Sequence, residues 1–187
     1  MDSMSRLVTA PRTVIGYHGC SKEAAEQILV VRRFLPSQRA YGWLGEGVYF
    51  WEYAPYRALD WAIVKCDRKG DQPAVLQATI HLGRCLNLLD IRHVPNLERT
   101  YRKFFASIGE ERIPVNTDQG AHFLDRAVID AYCRGAGVSS RPHQTVRGSF
   151  AEGEPIYPGS KTLKKAHAQI AVRDPDCIRN VSLVTFR

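Results

Sequence analysis

No stretch of the chain approaches the roughly 20 consecutive apolar residues needed to span a bilayer. Its first residues, MDSMSRLVTAPRT, lack the apolar centre of a secretory signal. These two absences predict a soluble, cytoplasmic protein with no membrane association. There is no CxxC pair: the five cysteines, Cys20, Cys66, Cys85, Cys133 and Cys177, are scattered and odd in number. That argues against a disulfide framework or a zinc site and for reduced thiols. No GxGxxG follows a strand-like segment and no GxxxxGK[ST] occurs, so a Rossmann domain or a P-loop NTPase is not supported. No internal repeat and no low-complexity tract is visible, and no single basic run reads as a nucleic-acid arm. His81, Asp90 and His93 lack ligand spacing and read as surface.

What is there suffices for one domain. The 187 residues are 44% hydrophobic, enough to bury a core, and residues 1–187 read as a single unit. The formal net charge is +7 and the pI about 9.3. Such a surplus attracts phosphate-rich partners through long-range fields. The cations are spread out, with modest clusters at Arg32-Arg33, Arg99 to Lys103 and Lys161 to Lys165.

Along the chain, residues 1–11 read as a frayed lead-in. TVIGY (13–17) is a short apolar run, hence a buried strand ending at His18-Gly19. Ser21 can cap a helix, SKEAAEQILVV, whose Ala24, Ile28 and Val31 recur at helical spacing. Residues 34–47 hold Pro, Ser and three glycines and form a loop; GVYFW (47–51) is the next strand. Pro55 opens a helix, PYRALDWAIVKC, from a first-turn position that tolerates it. AVLQATIHL (74–82) alternates like a strand, and helices are predicted around 95–108 and 120–134. Residues 135–145 read by composition as a mobile loop. Strands follow near 145–157, at AQIAV (168–172) and at VSLVTF (181–186). Strands at both ends with helices between them make an α+β domain rather than alternating βαβ units.

Three separated segments share one chemistry. The first is YHGC, with His18 at a strand end; Cys20 lies close to His18, but adjacency in sequence is weak evidence for a Cys/His nucleophile pair. The second is WLGEGVYFWE, a glycine loop feeding an aromatic strand. The third is FAEGEPIY, two carboxylates after a long polar loop.

In these residues the sequence resembles the ADP-ribosyltransferase superfamily, in the His-Tyr-Glu branch shared by diphtheria-toxin-like toxins and poly(ADP-ribose) polymerases. Y-H-G is matched by Tyr17, His18 and Gly19, G-x-G-[IV]-Y-F by Gly45, Gly47, Val48, Tyr49 and Phe50, and the late glutamate by Glu152 or Glu154. The order and wide separation match over most of the chain. More narrowly it resembles small bacterial toxin–antitoxin-type transferases, whose closing motif is matched by AQIAVRDPDCI (168–178).

The resemblance implies a fold of two small antiparallel sheets packed face to face, with NAD+ as substrate in the cleft and helices on the flanks, one inserted stretch covering about 92–134. It implies mono-ADP-ribosyl transfer to a macromolecule, with no metal and with a toxin or phage-defence role in view. The alternatives are NAD+ hydrolysis, or a non-catalytic module that binds ADP-ribose or nucleic acid.

The chemistry can be stated independently. Loss of nicotinamide leaves an oxocarbenium ion on the ribose, as in glycoside cleavage. The enzyme must hold the dinucleotide and place negative charge beside that cation. By resemblance, Glu152 or Glu154 takes that role and Tyr49 stacks on the nicotinamide ring. Gly19 meets the carboxamide with its backbone, His18 holds a ribose hydroxyl, and Tyr17 and Trp43 line the cofactor, Trp43 from the covering loop. E-x-E favours Glu154 and F-x-E-G favours Glu152; both remain open. Phe50, Trp51 and Trp61 read as core, Glu52 as either functional or a solvated helix-start carboxylate, and Arg173, Asp174 and Asp176 as a strand-end turn. The acceptor expected is RNA or DNA ahead of protein, gathered by Arg134, Arg141, Arg147, Lys161, Lys164 and Lys165, with a neutralising antitoxin as a further partner.

Overall fold

In the computed structural model, residues 12–35, 42–108, 112–117, 122–134 and 142–186 are described. The apolar run at 13–17 is the first half of a longer strand, β1 (Thr13–Ser21), which pairs along its whole length with β3 (Pro73–His81). Alternation along β1 sends Val14 and Cys20 to one face of the sheet, both nearly inaccessible to water. Tyr17 and Gly19 lie on the other. Ser21 ends the strand and caps α1 (Lys22–Val31), its hydroxyl accepting from the Ala24 N–H. Helix α1 stops at Arg32, which adopts a left-handed conformation and returns its N–H to the Ile28 carbonyl.

Strand β2 (Val48–Glu52) leads through Tyr53 into α2 (Pro55–Asp67), which Pro55 opens as expected. A short β4 (Cys85–Asn87) precedes α3 (Val94–Ile108) and α4 (Phe123–Cys133). Three strands follow: β5 (Thr145–Phe150), β6 (His167–Val172) and β7 (Ile178–Leu183). The protein is thus of mixed α+β class. Of the expected loop at 135–145, residues 135–141 lie outside the described residues, and Thr145 already belongs to β5. The last strand lies earlier than VSLVTF suggests, because a short 3-10 turn at Pro175–Cys177 sets Ile178 against Ile80.

The sheet departs from the expected pair of facing antiparallel sheets. The described strands form one seven-stranded sheet in the order β4-β5-β6-β2-β1-β3-β7. All neighbours are antiparallel except β4 and β5. A parallel pair needs a long crossover, and the stretch read as an insertion over 92–134 provides it. The two halves of the sheet join at β1 and β2 through only two pairs, Gly16 with Glu52 and Tyr17 with Trp51.

Helix α1 covers one face, with Ala25, Ile28 and Leu29 packed on Phe50, Leu76, Ile80 and Ile170. The opposite face carries two groups. Ala58 of α2 packs on Trp51 and Val75, while Ile129, Tyr132 and Cys133 of α4 pack on Leu86, Val146 and Ala171. Helix α2 sits very close to β1: a Cβ on Gly19 would lie 2.2 Å from the Ala58 carbonyl oxygen. Only glycine permits that approach.

Candidate active site

The β1–β2 junction opens in a defined way. Tyr53 N–H bonds the Ile15 carbonyl on the β2 side of β1. Strand alternation therefore aims the backbone groups of Tyr17 and Gly19 at that side too. The register that pairs Tyr17 with Trp51 would next pair Gly19 with Tyr49. Instead the Tyr49 carbonyl takes a hydrogen bond from the His18 ring, Nδ1 at 2.8 Å. The ladder stops, and the N–H and C=O of Gly19 have no ladder partner on the β2 side.

His18 is held from the α1 face by an edge-on contact with Phe34 and a tilted one with Phe50, at 5.4 and 5.6 Å between centroids. Burial lowers its pKa from 6.5 to about 4, the bond to Tyr49 opposing the shift and Lys65 adding to it. The ring is neutral near pH 7. Its Nδ1 faces a carbonyl, which only accepts, so Nδ1 carries the proton and Nε2 presents a lone pair.

Tyr49 stands on the opposite face. Its hydroxyl donates to the Gly45 carbonyl at 2.6 Å and accepts from the Leu44 N–H at 2.9 Å. Burial raises its pKa, so it stays protonated. The His18 and Tyr49 side chains therefore do not meet on one face; they meet through the Tyr49 backbone, and the Tyr49 ring pins the glycine loop. Asp130 of α4 holds the same loop, accepting from Glu46 N–H at 2.8 Å and from Arg173 at 2.6 Å. Gly45 has φ +85°, and a Cβ there would lie 2.6 Å from the Asp130 carboxylate. Arg173, read from sequence as part of a strand-end turn, is this anchor.

The two late glutamates part company. Glu152 follows β5 and folds back onto α2, where Arg57 Nη2 lies 2.7 Å from both of its oxygens. Glu154 is 84% exposed and pairs with Lys164 at 3.3 Å. Around Glu152 stand residues that sequence reading missed. Arg57 also donates to Asp60 at 3.0 Å, and its cationic carbon sits 5.9 Å from the Trp51 ring centroid. His167 Nδ1 bonds the Lys165 carbonyl at 2.6 Å and lies 4.0 Å from Glu152, so Nε2 is left to accept from Gln169 at 2.8 Å. Burial lowers the His167 pKa, and the Lys165 carbonyl opposes the shift. Trp51 Nε1 and Arg57 Nε are buried with no hydrogen-bond partner among the described residues. The available signal was a pair of polar residues, His167 and Gln169, at period two in a strand that is otherwise core.

Several single-residue expectations are corrected. Trp61 is 37% exposed rather than core, because it lies off the face of α2 that buries Ala58, Ala62 and Cys66. Glu52 is neither solvated nor in the site: it is buried and takes both Arg147 contacts, at 2.5 and 2.7 Å. Arg147 is thereby removed from the set of cations expected to gather an acceptor. Lys164 is paired with Glu154, Lys165 with Asp60 at 3.0 Å, and Arg141 lies outside the described residues. Trp43 packs against Phe150 and His122, at 4.3 and 4.2 Å between centroids, on the α4 side of the glycine loop. Cys20 is a poor candidate nucleophile: it is 2% exposed, and burial pushes its thiol up to about 11. Among the described residues no helix is long and apolar enough to cross a membrane.

No family model matches the chain. It is similar to an uncharacterized protein of Methanocaldococcus jannaschii, 42% identical over 45 residues, or 24% of this chain and 21% of that protein. The chain thus matches about a fifth of the length of that curated relative.

Proposed function

We propose that the protein is an ADP-ribosyltransferase that cleaves NAD+ and transfers ADP-ribose to a macromolecule. The observation that carries this reading is the opened ladder at Gly19. A primary carboxamide has one acceptor and one donor face, the complement of a strand residue's N–H and C=O. The nicotinamide carboxamide fits the edge that β2 has left. Beside it the lone pair on His18 Nε2 accepts from a ribose hydroxyl.

We assign the carboxylate beside the cation to Glu152, because Arg57 of α2 holds it while Glu154 stands in solvent. The C1′–N bond breaks heterolytically, its electron pair leaves with neutral nicotinamide, and the ribose becomes an oxocarbenium ion. Negative charge on Glu152 stabilises that ion. An acceptor heteroatom then forms the new bond to C1′ and releases its proton to the carboxylate or to water. Arg57 holds Glu152 in place, and Gln169 is held by His167 on the same face. Tyr49 acts by fixing the loop over the site. The reading requires no metal. The net charge of +7 favours a nucleic-acid acceptor. Transfer that disables a nucleic acid would make the protein toxic to its host and call for a neutralising partner. NAD+ hydrolysis is the second reading, favoured by the 37% exposure of the Glu152 side chain, which admits water.

The test is nicotinamide release from NAD+ by wild type, Glu152→Gln and Glu154→Gln. Glu152→Gln should lose about 100-fold or more in rate, the scale of a lost electrostatic partner of the transition state. Glu154→Gln should be near wild type. No release by wild type with or without RNA, DNA or protein present would refute the reading. Release that never labels an acceptor would favour hydrolysis.

A further inference from the structure

We infer that a cavity of about 440 Å³ between α3, α4 and the glycine loop takes an unstacked guanine base of a single-stranded nucleic acid. This inference rests on the transferase reading above and names the acceptor chemistry. The volume lies in the ~300–1,000 Å³ range of small-molecule sites. Its walls are apolar, aliphatic side chains such as Leu88, Leu97 and Val128 alternating with the rings of Trp43, Tyr101 and Phe150, and His122 stands beside Trp43. Such rings accept the faces of any flat base. Phe150 ends β5 two residues before Glu152, so the cavity adjoins the proposed reacting centre.

Its polar groups select among bases. The lining carboxylates are Glu98 and Asp125. Asp125 is occupied by the His122 ring at 3.0 Å and the Asn116 amide at 2.9 Å. Glu98 lies 4.0 Å from Arg102 and is 61% exposed at the rim. A carboxylate only accepts hydrogen bonds. Guanine alone among the common bases offers two adjacent donors, N1–H and the N2 amino group, which one carboxylate can take together. Adenine and cytosine set one donor beside an acceptor. The carboxylates also repel phosphate, so the base rather than the backbone enters, while the overall positive charge draws the strand. The base must be unpaired for its Watson–Crick edge to reach Glu98.

The experiment is calorimetric titration of the full chain with guanosine and adenosine monophosphates. Single-stranded oligonucleotides with and without guanine follow, and then an arginine-rich peptide. Wild type should prefer the guanine nucleotide about tenfold or more, the scale of a well-made bidentate base contact. Glu98→Gln, an isosteric change at an exposed position, should erase the preference while leaving adenosine monophosphate binding intact. Trp43→Ala should weaken both about fivefold or more through lost stacking. The guanine-bearing strand should bind at least as tightly as the mononucleotide. Equal affinity for the two nucleotides, or a preference that survives Glu98→Gln, overturns the guanine assignment. A guanine nucleotide that the oligonucleotide cannot displace overturns the acceptor role. Tighter binding of the arginine peptide would make this a guanidinium pocket instead. Nicotinamide release from the same samples separates the two proposals. Release without base binding refutes the pocket alone; base binding without release refutes the transferase reading alone.

Discussion

Changing Asp130 to Asn tests whether the glycine loop is held by charge. The Asp130 side chain is 7% exposed and its partner Arg173 11%. Besides Arg173 and the Glu46 N–H, Asp130 has Arg126 Nε at 3.5 Å. Asparagine keeps the shape and one oxygen for the Glu46 N–H, but it leaves the Arg173 guanidinium buried beside a neutral group. Breaking one side of a buried pair costs about 3–5 kcal/mol. Arg173 keeps a bond to the Glu46 carbonyl at 3.1 Å and the Glu46 carboxylate at 3.9 Å. That carboxylate is 55% exposed, and such a partner recovers about 0–1 kcal/mol. A net loss of about 3 kcal/mol is expected, or roughly 6–12 °C in Tm for a domain of this size. Urea unfolding of Asp130→Asn, Arg173→Met and the double variant measures it. Arg173→Met removes the stranded charge, so the double variant should be more stable than the sum of the singles by at least about 1 kcal/mol. Strictly additive losses, or a single-variant loss under about 0.5 kcal/mol, would refute the argument.

Acid should destabilise the fold through its buried imidazoles. The folded-state pKa of His18 lies at about 4 against 6.5, and those of His143 and His167 are also lowered. The unfolded chain therefore takes protons first. Stability is complete above about pH 6.5 and falls as pH drops toward 4, by on the order of 3 kcal/mol from His18. Urea midpoints between pH 7 and 4 check this, and a His18→Gln variant whose slope matches wild type would contradict it. The thiols of Cys20, Cys133 and Cys177, each raised to about 11 by burial, should resist an aromatic disulfide reagent in the native state. All five cysteines should react once the chain is unfolded in guanidinium; rapid native labelling of those three would show that the sheet opens locally.

Local patterning was enough for most of the elements, though not for the short β4 or for the bounds of β5 and β7. TVIGY, GVYFW and AQIAV are short apolar runs, too short for helices and rich in β-branched or aromatic residues, so they read as buried strands, and Ser21 and Pro55 mark helix starts by their own hydrogen-bonding chemistry. The same runs placed His18, Gly19 and Tyr49 at or near strand ends. The sequence could not say that the sheet is continuous or that β4 and β5 run parallel, because neighbour order depends on contacts between segments dozens of residues apart. Nor could it separate Glu152 from Glu154. The two differ by two positions in a polar hairpin, and only the docking of α2 brings Arg57 to one and leaves the other in solvent. Periodicity records which face of its own element a residue occupies, so it read the core. Charge partners lie on other elements: Glu52 with Arg147, Asp130 with Arg173 and Arg57 with Glu152 became pairs only when the tertiary fold removed water from between them.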